Sequence, residues 1–378
     1  MRLLTLAIGV LLIAGQAVAD ESQIVDTMTR VLEGRLETAA AQARDAAGDS
    51  RESLEAMLST ELADMQRGGY ATQNIRAFSA LAPFWDRATS DFLSRHRIKD
   101  GQVPDAVLLL PGSVERVVAV DLTRHVAFEV VRDTIKGWRI ADTFYVSSGR
   151  AGSGKRRRGD RKTPVGLYFP LQSLDTSKLP ARYGVRAVTL DYPNALDRML
   201  KRTGDGIWLH GINPDANIRP PLDTDGCVAF GNVHIEQLAD RLRLSGTPIV
   251  MSASLRWRAG TSDPDEVVSL RAAVDRWANA WARGDVEGFV ALYARDYKRF
   301  GQSPEGWRNA IRQRFSSSPV SSVAVTNLAL FRADTERGIY LARFDLEVKT
   351  PAETVSLTRR IYWRNGPAGW EIVAEQGN

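Results

Sequence analysis

Cysteine is nearly absent: one residue, Cys227, in a chain of 378. A single thiol excludes an intramolecular disulfide framework and a cysteine-rich zinc site, because each needs at least two sulfurs. Histidine is scarce as well, with His96, His125, His210 and His234 the full set, so few nucleophile–base pairs are available. An excess of one charge is lacking too. Lys and Arg number 50 against 45 Asp and Glu, a balance of +5, too mild over this length to imply a nucleic-acid partner. Beyond the first 20 residues no run is apolar enough to span a bilayer, and no internal repeat or low-complexity tract is visible. A hydrophobic fraction of 44% with 25% charged residues excludes wholesale disorder. At roughly 100–200 residues per domain, two or three domains are expected.

The start of the chain reads as a secretory signal. Arg2 supplies the positive region, Leu3 to Ala14 the apolar one, and Ala17-Val18-Ala19 a small-residue site with cleavage after Ala19. Residues 1–19 are therefore expected to be a signal peptide and the product periplasmic. A lone thiol kept in an exported protein is unusual, because such thiols tend to be oxidised or absent. Residues 20–103 read as a helical extension: Val25, Met28, Leu32 and Leu36, then Leu54, Leu58, Leu62 and Met65, recur at helical spacing. This region is the expected place for any homodimer contact. Residues 104–254 change to short β-branched runs bounded by turns, at Val107 to Leu110, Val117 to Val120, Val126 to Val130, Ile140 to Val146, Ala187 to Leu190, Ile207 to His210 and Thr247 to Met251. His234 to Leu242 has the helical pattern. Residues 255–263 have linker composition. Residues 264–378 begin with an amphipathic helix carrying Val267, Leu270, Val274, Trp277 and Trp281, break at Gly284-Asp285, and end in four long strand patterns, an α+β layout. Trp277 and Trp281 read as core rather than as a sugar platform.

Cys227 lies in Thr224-Asp225-Gly226-Cys227-Val228-Ala229-Phe230. A thiol becomes a useful nucleophile when a neighbour lowers its pKa, and histidine is the usual neighbour. His210 ends an expected strand and is followed by Gly211, with a loop between it and Cys227. A strand-end His and a Cys across one such loop are able to meet. Gly226 lets the backbone turn closely before the nucleophile and leaves N–H groups for an oxyanion. The competing reading is a buried cysteine acting as a small apolar residue, the commoner fate of a lone one. His96, His125 and His234 have no partner nearby in sequence and read as core or surface. No His, Asp or Glu cluster has metal-ligand spacing, so no metal or cofactor is expected. Gly149 to Lys155 matches the opening of a phosphate-binding loop, but Arg156 stands where Ser or Thr is needed, which argues against a nucleotide site. The basic run Lys155 to Lys162 reads as a solvated loop, with attraction of carboxylates or phosphates as the alternative.

His210-Gly211 followed by Thr224-x-Gly226-Cys227 resembles the signature of the L,D-transpeptidase (YkuD-type) catalytic family, whose usual form is His-Gly, a loop, then Ser/Thr-His-Gly-Cys. Gly159-Asp160-x-Lys162-Thr163-Pro164-x-Gly166 is similar to the family's Thr-Pro-x-Gly turn. Asp191-Tyr192-Pro193-Asn194 and Trp208 to Gly211 resemble one branch, the L,D-carboxypeptidases of helical bacteria and the enzyme that detaches lipoprotein from peptidoglycan. The last segment, with Trp277-x-x-Ala280-Trp281 before Gly284-Asp285, resembles the nuclear-transport-factor-2-like (NTF2-like) cone that those carboxypeptidases also carry. The implied fold is multi-domain α+β: a helical N-terminal region, a β-rich, β-sandwich-like catalytic domain and a C-terminal NTF2-like cone.

The resemblance implies that Cys227 is the acylated nucleophile and His210 its general base, oriented by the Gly211 carbonyl in place of a carboxylate. Backbone N–H groups of Gly226 and Cys227 would form the oxyanion hole, and Thr224 would shape the loop. Two positions depart from the family: Asp225 replaces the His before Gly-Cys, and Ala229 stands where many members have Arg or Asn. Asp225 disfavours a thiolate unless it points away or pairs with Arg219. The implied substrate is the peptidoglycan stem peptide, with a wall-linked lipoprotein as a further partner. Two classes stay open: an exported cysteine acyltransferase, releasing its acyl group to an amine or to water, and a catalytically silent wall-binding module.

Overall fold

The computed structural model describes residues 25, 29, 86–135, 137–214, 221–260, 265–299, 301–366 and 369–377. The expected signal peptide, most of the helical extension with its homodimer contact, and Arg219 lie outside the described residues. Residues 86–94 are helical, and Ala88 and Phe92 on this helix are buried. The Phe92 ring meets Tyr145 edge-on at 6.0 Å, which docks the helix on the β-rich domain.

That domain is one ten-stranded sheet folded into two leaves. The first leaf runs β6 (Gly166–Tyr168), β12 (Ile249–Ser252), β3 (Arg116–Asp121), β4 (Val126–Asp133) and β5 (Gly137–Gly149). The second continues from β5 through β11 (Val228–Phe230), β9 (Trp208–His210), β8 (Ala187–Leu190) and β7 (Pro170–Leu174), and β10 (Leu222–Thr224) pairs with the end of β5. The 13-residue β5 belongs to both leaves, which is why they share a core. Alternation along β3 decides what each face meets. Val118 and Val120 point between the leaves, with Phe144, Val146, Leu209, Val228 and Phe230, under α2 (Asn232–Arg241). Val117 and Ala119 point the other way, into a second core that continues into the C-terminal domain.

The C-terminal domain sets α3 (Asp265–Ala282), α4 (Val286–Ala291) and α5 (Pro304–Ser317) against an antiparallel sheet of β14 (Ser322–Asp334), β15 (Ile339–Lys349), β16 (Thr354–Gly366) and β17 (Gly369–Gly377). Trp277 on α3 is buried and its indole N–H donates to the Tyr293 hydroxyl at 3.1 Å, so it is core. Truncating such a buried aromatic costs about 3–5 kcal/mol.

The two domains are built into each other. β2 (Val107–Leu109), inside the stretch expected as the β-rich domain, pairs instead with β14 as the edge strand of the C-terminal sheet. β13 (Trp257–Ala259), inside the stretch expected as a linker, pairs antiparallel with β1 (Gln102–Pro104). Arg258 reaches back to the Val107 and Leu108 carbonyls, each at 2.8 Å. A buried ion pair closes the seam: Arg360 on β16 donates to Asp191 at 3.1 Å, with its guanidinium 4.3 Å from the centre of the Phe169 ring. Breaking such a pair from one side generally costs about 3–5 kcal/mol, because the remaining charge is left buried.

Burial raises the Asp191 carboxyl from 3.8 to about 6, against the pull of the Arg360 guanidinium and the Phe169 N–H. A carboxyl held above its unfolded value adds stability below about 3.8 and loses it as the pH rises through about 6. Urea denaturation between pH 4 and 7 is expected to show this decline in the wild type. Asp191→Asn is expected to remove that component of the slope and to lower stability most above about pH 6, where Arg360 loses a charged partner.

Candidate active site

His210 is the last residue of β9 and is buried. Its Nδ1 lies 2.6 Å from the Gly211 carbonyl oxygen. A carbonyl only accepts, so Nδ1 carries the proton and Nε2 is left as the basic nitrogen. The peptide that does this is itself pinned. The Gly211 N–H donates to the Tyr183 and Arg186 carbonyls at 3.1 and 3.0 Å. A side chain at Gly211 would collide with Asn232 Oδ1 on α2, which accepts the Ile212 N–H at 2.9 Å. The Tyr183 ring packs edge-on against His210 at 5.2 Å and tilted against Trp208 at 4.8 Å. A side chain at position 211 has no space unless Asn232 moves, and the Gly211 carbonyl and the Tyr183 ring both hold the imidazole.

Cys227 directly precedes β11, which runs parallel to β9 with Ala229 opposite His210 and Val228 opposite Leu209. Side chains alternate along a strand, so Cys227, Ala229 and His210 share one face of the sheet. Ala229 is buried and small, and places no large group between sulfur and imidazole. The Thr224 hydroxyl organises the turn: it donates to the Cys227 carbonyl at 2.7 Å and accepts the Gly226 N–H at 3.1 Å. This corrects one expectation. The Gly226 N–H is used inside the turn and is not offered to an oxyanion. Gly226 has φ 131°, and a Cβ there would sit 2.7 Å from the Lys162 carbonyl oxygen. The Thr163-Pro164 turn thus packs directly beneath Cys227, with Thr163 Oγ1 accepting the Gly149 N–H at 2.8 Å.

Cys227 is half-buried, and its thiol donates to the Gly206 carbonyl at 3.3 Å. Asp225 is exposed and pairs with Arg150 at 3.5 Å, a partner that sequence reasoning missed because Arg150 lies across a strand pairing. Arg182 lies over the Tyr183 ring at 5.0 Å, and its charge is felt at both Asp225 and Cys227. A cation there offsets Asp225 and favours a thiolate.

The basic run is a folded loop. The Lys155 ammonium is 4% exposed and donates to Asp160 at 2.9 Å. Against its own burial, the Asp160 carboxyl is held far below the usual range by the Arg157 N–H, Lys155, and the Arg156 and Lys162 N–H groups. Lys155 is thereby committed, which removes the phosphate-loop reading, while the side chains of Arg156, Arg157 and Arg158 face solvent beside residues 203–206. The remaining histidines stand apart. Burial pushes His125 down to about 4, His234 packs on Phe144, and His96 sits on Phe92. Among the described residues no group of three or more His, Cys, Asp or Glu is placed to hold a metal, and no helix is long and apolar enough to cross a membrane.

Residues 115–251 match the L,D-transpeptidase catalytic domain (YkuD) family, and residues 269–376 match the Cds6 C-terminal NTF2-like domain family. Bd1075 of Bdellovibrio bacteriovorus is similar in structure at 23% identity and a TM-score of 0.59, over 73% of this chain and 98% of its own. The helical cell shape determining protein Pgp2 of Campylobacter jejuni is similar at 22% identity and a TM-score of 0.59, over 76% of this chain and 98% of its own. At these identities the likeness is one of fold. None of the curated proteins matches the chain.

Gly226→Ala is expected to lower stability by about 2–4 kcal/mol in urea denaturation, since both backbone angle and space forbid the methyl group. Gly206→Ala is the comparison: φ is 67° but nothing lies within 4 Å of its Cβ, so only the backbone term applies, about 1 kcal/mol.

Proposed function

We propose, from an L,D-transpeptidase catalytic domain at residues 115–251, that the protein is an exported cysteine acyltransferase of peptidoglycan stem peptides working through a thioacyl-enzyme on Cys227. The observation that carries this reading is the His210 tautomer: Nδ1–H is committed to the Gly211 carbonyl, so Nε2 is a base on the sheet face that Cys227 shares.

The chemistry follows from these groups. Nε2 of His210 takes the Cys227 proton as sulfur attacks the amide carbonyl between an L- and a D-residue of the stem. The negative oxygen forms against the Cys227 N–H. The tetrahedral intermediate collapses as the imidazolium returns its proton to the leaving nitrogen, releasing D-alanine and leaving a thioester. His210 then deprotonates the acceptor, which displaces sulfur, and the thiol is regenerated. Water as acceptor yields a shortened stem; an amine of a second stem yields a cross-link. The likeness of Asp191 to Asn194 to the carboxypeptidase branch, joined to an NTF2-like C-terminal domain, favours water. The exposed cations of Arg156 and Arg157, with Arg182, suit a substrate rich in carboxylates.

Purified protein is to be incubated with disaccharide-tetrapeptide and the products read by mass spectrometry beside Cys227→Ala. Tripeptide that depends on Cys227 is the expected result; dimers lacking one D-alanine would make the acceptor an amine. No product from either protein would favour the silent wall-binding module. Arg182→Gln is expected to raise KM for the free-acid tetrapeptide by roughly threefold to tenfold, the loss of one exposed charge-assisted contact, and to change little with the C-terminally amidated peptide.

A further inference from the structure

The carbonyl that accepts the Cys227 thiol belongs to an irregular stretch. Residues 201–207 join no strand, and Lys201, Gly204 and Gly206 have φ of 57°, 101° and 67°. A stretch of this kind has little intrinsic preference for one position. It is held from outside, and the holding points run back to the C-terminal domain. Thr203 is fixed on one side by the Tyr192 hydroxyl, which donates to its carbonyl at 3.1 Å. On the other side its N–H donates to the Arg156 carbonyl at 2.9 Å and its hydroxyl accepts the Arg158 N–H at 3.2 Å. Arg202 donates to Asp197 at 2.9 Å and stands 3.9 Å from Asp334 on β14. Between Tyr192 and Arg202 lies α1 (Ala195–Met199), stiffened by a reciprocal cap between Asn194 and Asp197. The C-terminal sheet grips this strap three times: Arg360 on Asp191 at 3.1 Å, Gln376 accepting the Ala195 N–H at 3.2 Å, and Asp334 on Arg202.

We propose that Arg360, Gln376 and Asp334 are positioning residues for the Cys227 thiol: the C-terminal domain clamps residues 191–206, and the far end of that strap presents the Gly206 carbonyl to sulfur. The inference rests on the thioacyl-enzyme reading above and deepens it, since it gives the C-terminal domain a part in the resting geometry of the nucleophile. A carbonyl that accepts S–H favours the protonated thiol and fixes its direction. Loosening the strap withdraws that acceptor, so the thiol ionises more easily yet attacks from a poorer position. The charged groups around sulfur are His210 on β9, Arg182 beside Tyr183, Asp225 with Arg150 and, on the strap itself, Asp205, which is paired with Arg158; the changes on β14 and β17 replace none of them.

The test follows the rate of Cys227 alkylation by iodoacetamide against pH in the full chain, read by intact-protein mass spectrometry; with one cysteine every adduct reports this site. In Asp334→Asn and in Gln376→Ala the midpoint is expected to fall by roughly half a unit to one unit, the effect of losing one neutral hydrogen bond. Tetrapeptide turnover is expected to fall roughly threefold to tenfold, and Asp334→Glu to restore both. Arg337→Ala is the control, because Arg337 also pairs with Asp334, at 2.9 Å, without touching the strap. Midpoints that stay at the wild-type value in both variants, or that move equally in Arg337→Ala, would overturn the proposal and reduce these contacts to fold stability. If Asp334→Asn does not fold, Gln376→Ala, which loses a single hydrogen bond, carries the test alone. A shifted midpoint in a protein that leaves tetrapeptide untouched would sink the enzymatic reading and keep the positioning; turnover with an unmoved midpoint would do the reverse.

Discussion

The hydrogen bond between His210 Nδ1 and the Gly211 carbonyl, 2.6 Å long, sets the terms for the rest of the candidate site. It fixes the tautomer, and the tautomer decides which nitrogen is the base. A carboxylate would orient the ring equally well but would add a buried negative charge beside a thiol that has to ionise. Using a peptide carbonyl avoids that charge and shifts the burden to backbone placement. The consequences spread outward from Gly211. It has no room for a side chain because Asn232 occupies the space, Asn232 begins α2, and the Gly211 N–H is held by the segment that also presents Tyr183 to the ring. The base is thus an outcome of how a helix, a turn and a strand end meet.

The Cys227 thiol depends on a second set of backbone contacts. Thr224 ties the turn before Cys227 from inside, the Lys162 to Thr163 backbone closes on Gly226 from below, and the Gly206 carbonyl accepts a hydrogen bond from the thiol. Around this neutral framework the charges sit at the rim. Asp225 points outward to Arg150, and Arg182 balances it from the opposite side. Exposed pairs of this kind add little to stability; their value lies in the local potential around sulfur.

Much of the fold was legible, and what was not shares one cause. Strands such as Ala187–Leu190 and helices such as Asp265–Ala282 announce themselves through local periodicity, and the His-Gly and Gly-Cys pairs through chemistry specific to residue type. The placement of Val107–Leu109 was not readable: its alternation says strand, but nothing in it says that it will join β14, more than 200 residues away in the chain. Arg360 and Asp191 give the same lesson, since neither sequence neighbourhood signals the other. The Gly226 N–H was expected to face an oxyanion, and the competitor for it, the Thr224 hydroxyl, lay two residues away. A short polar side chain folding back on its own turn is a strong local effect that a motif comparison passes over. Arg219, named as a partner for Asp225, lies outside the described residues, and Arg150 holds that place.

The central claim is a covalent one: the stem peptide becomes attached to Cys227 before it is released. Acid quenching of the wild type during turnover of disaccharide-tetrapeptide, followed by intact-protein and peptide mass spectrometry, tests it directly. The account predicts an added mass equal to the tetrapeptide fragment less D-alanine, located on Cys227, lost in Cys227→Ala and strongly reduced in His210→Ala. Turnover without that adduct, or the same adduct persisting when Cys227 is replaced, would contradict it.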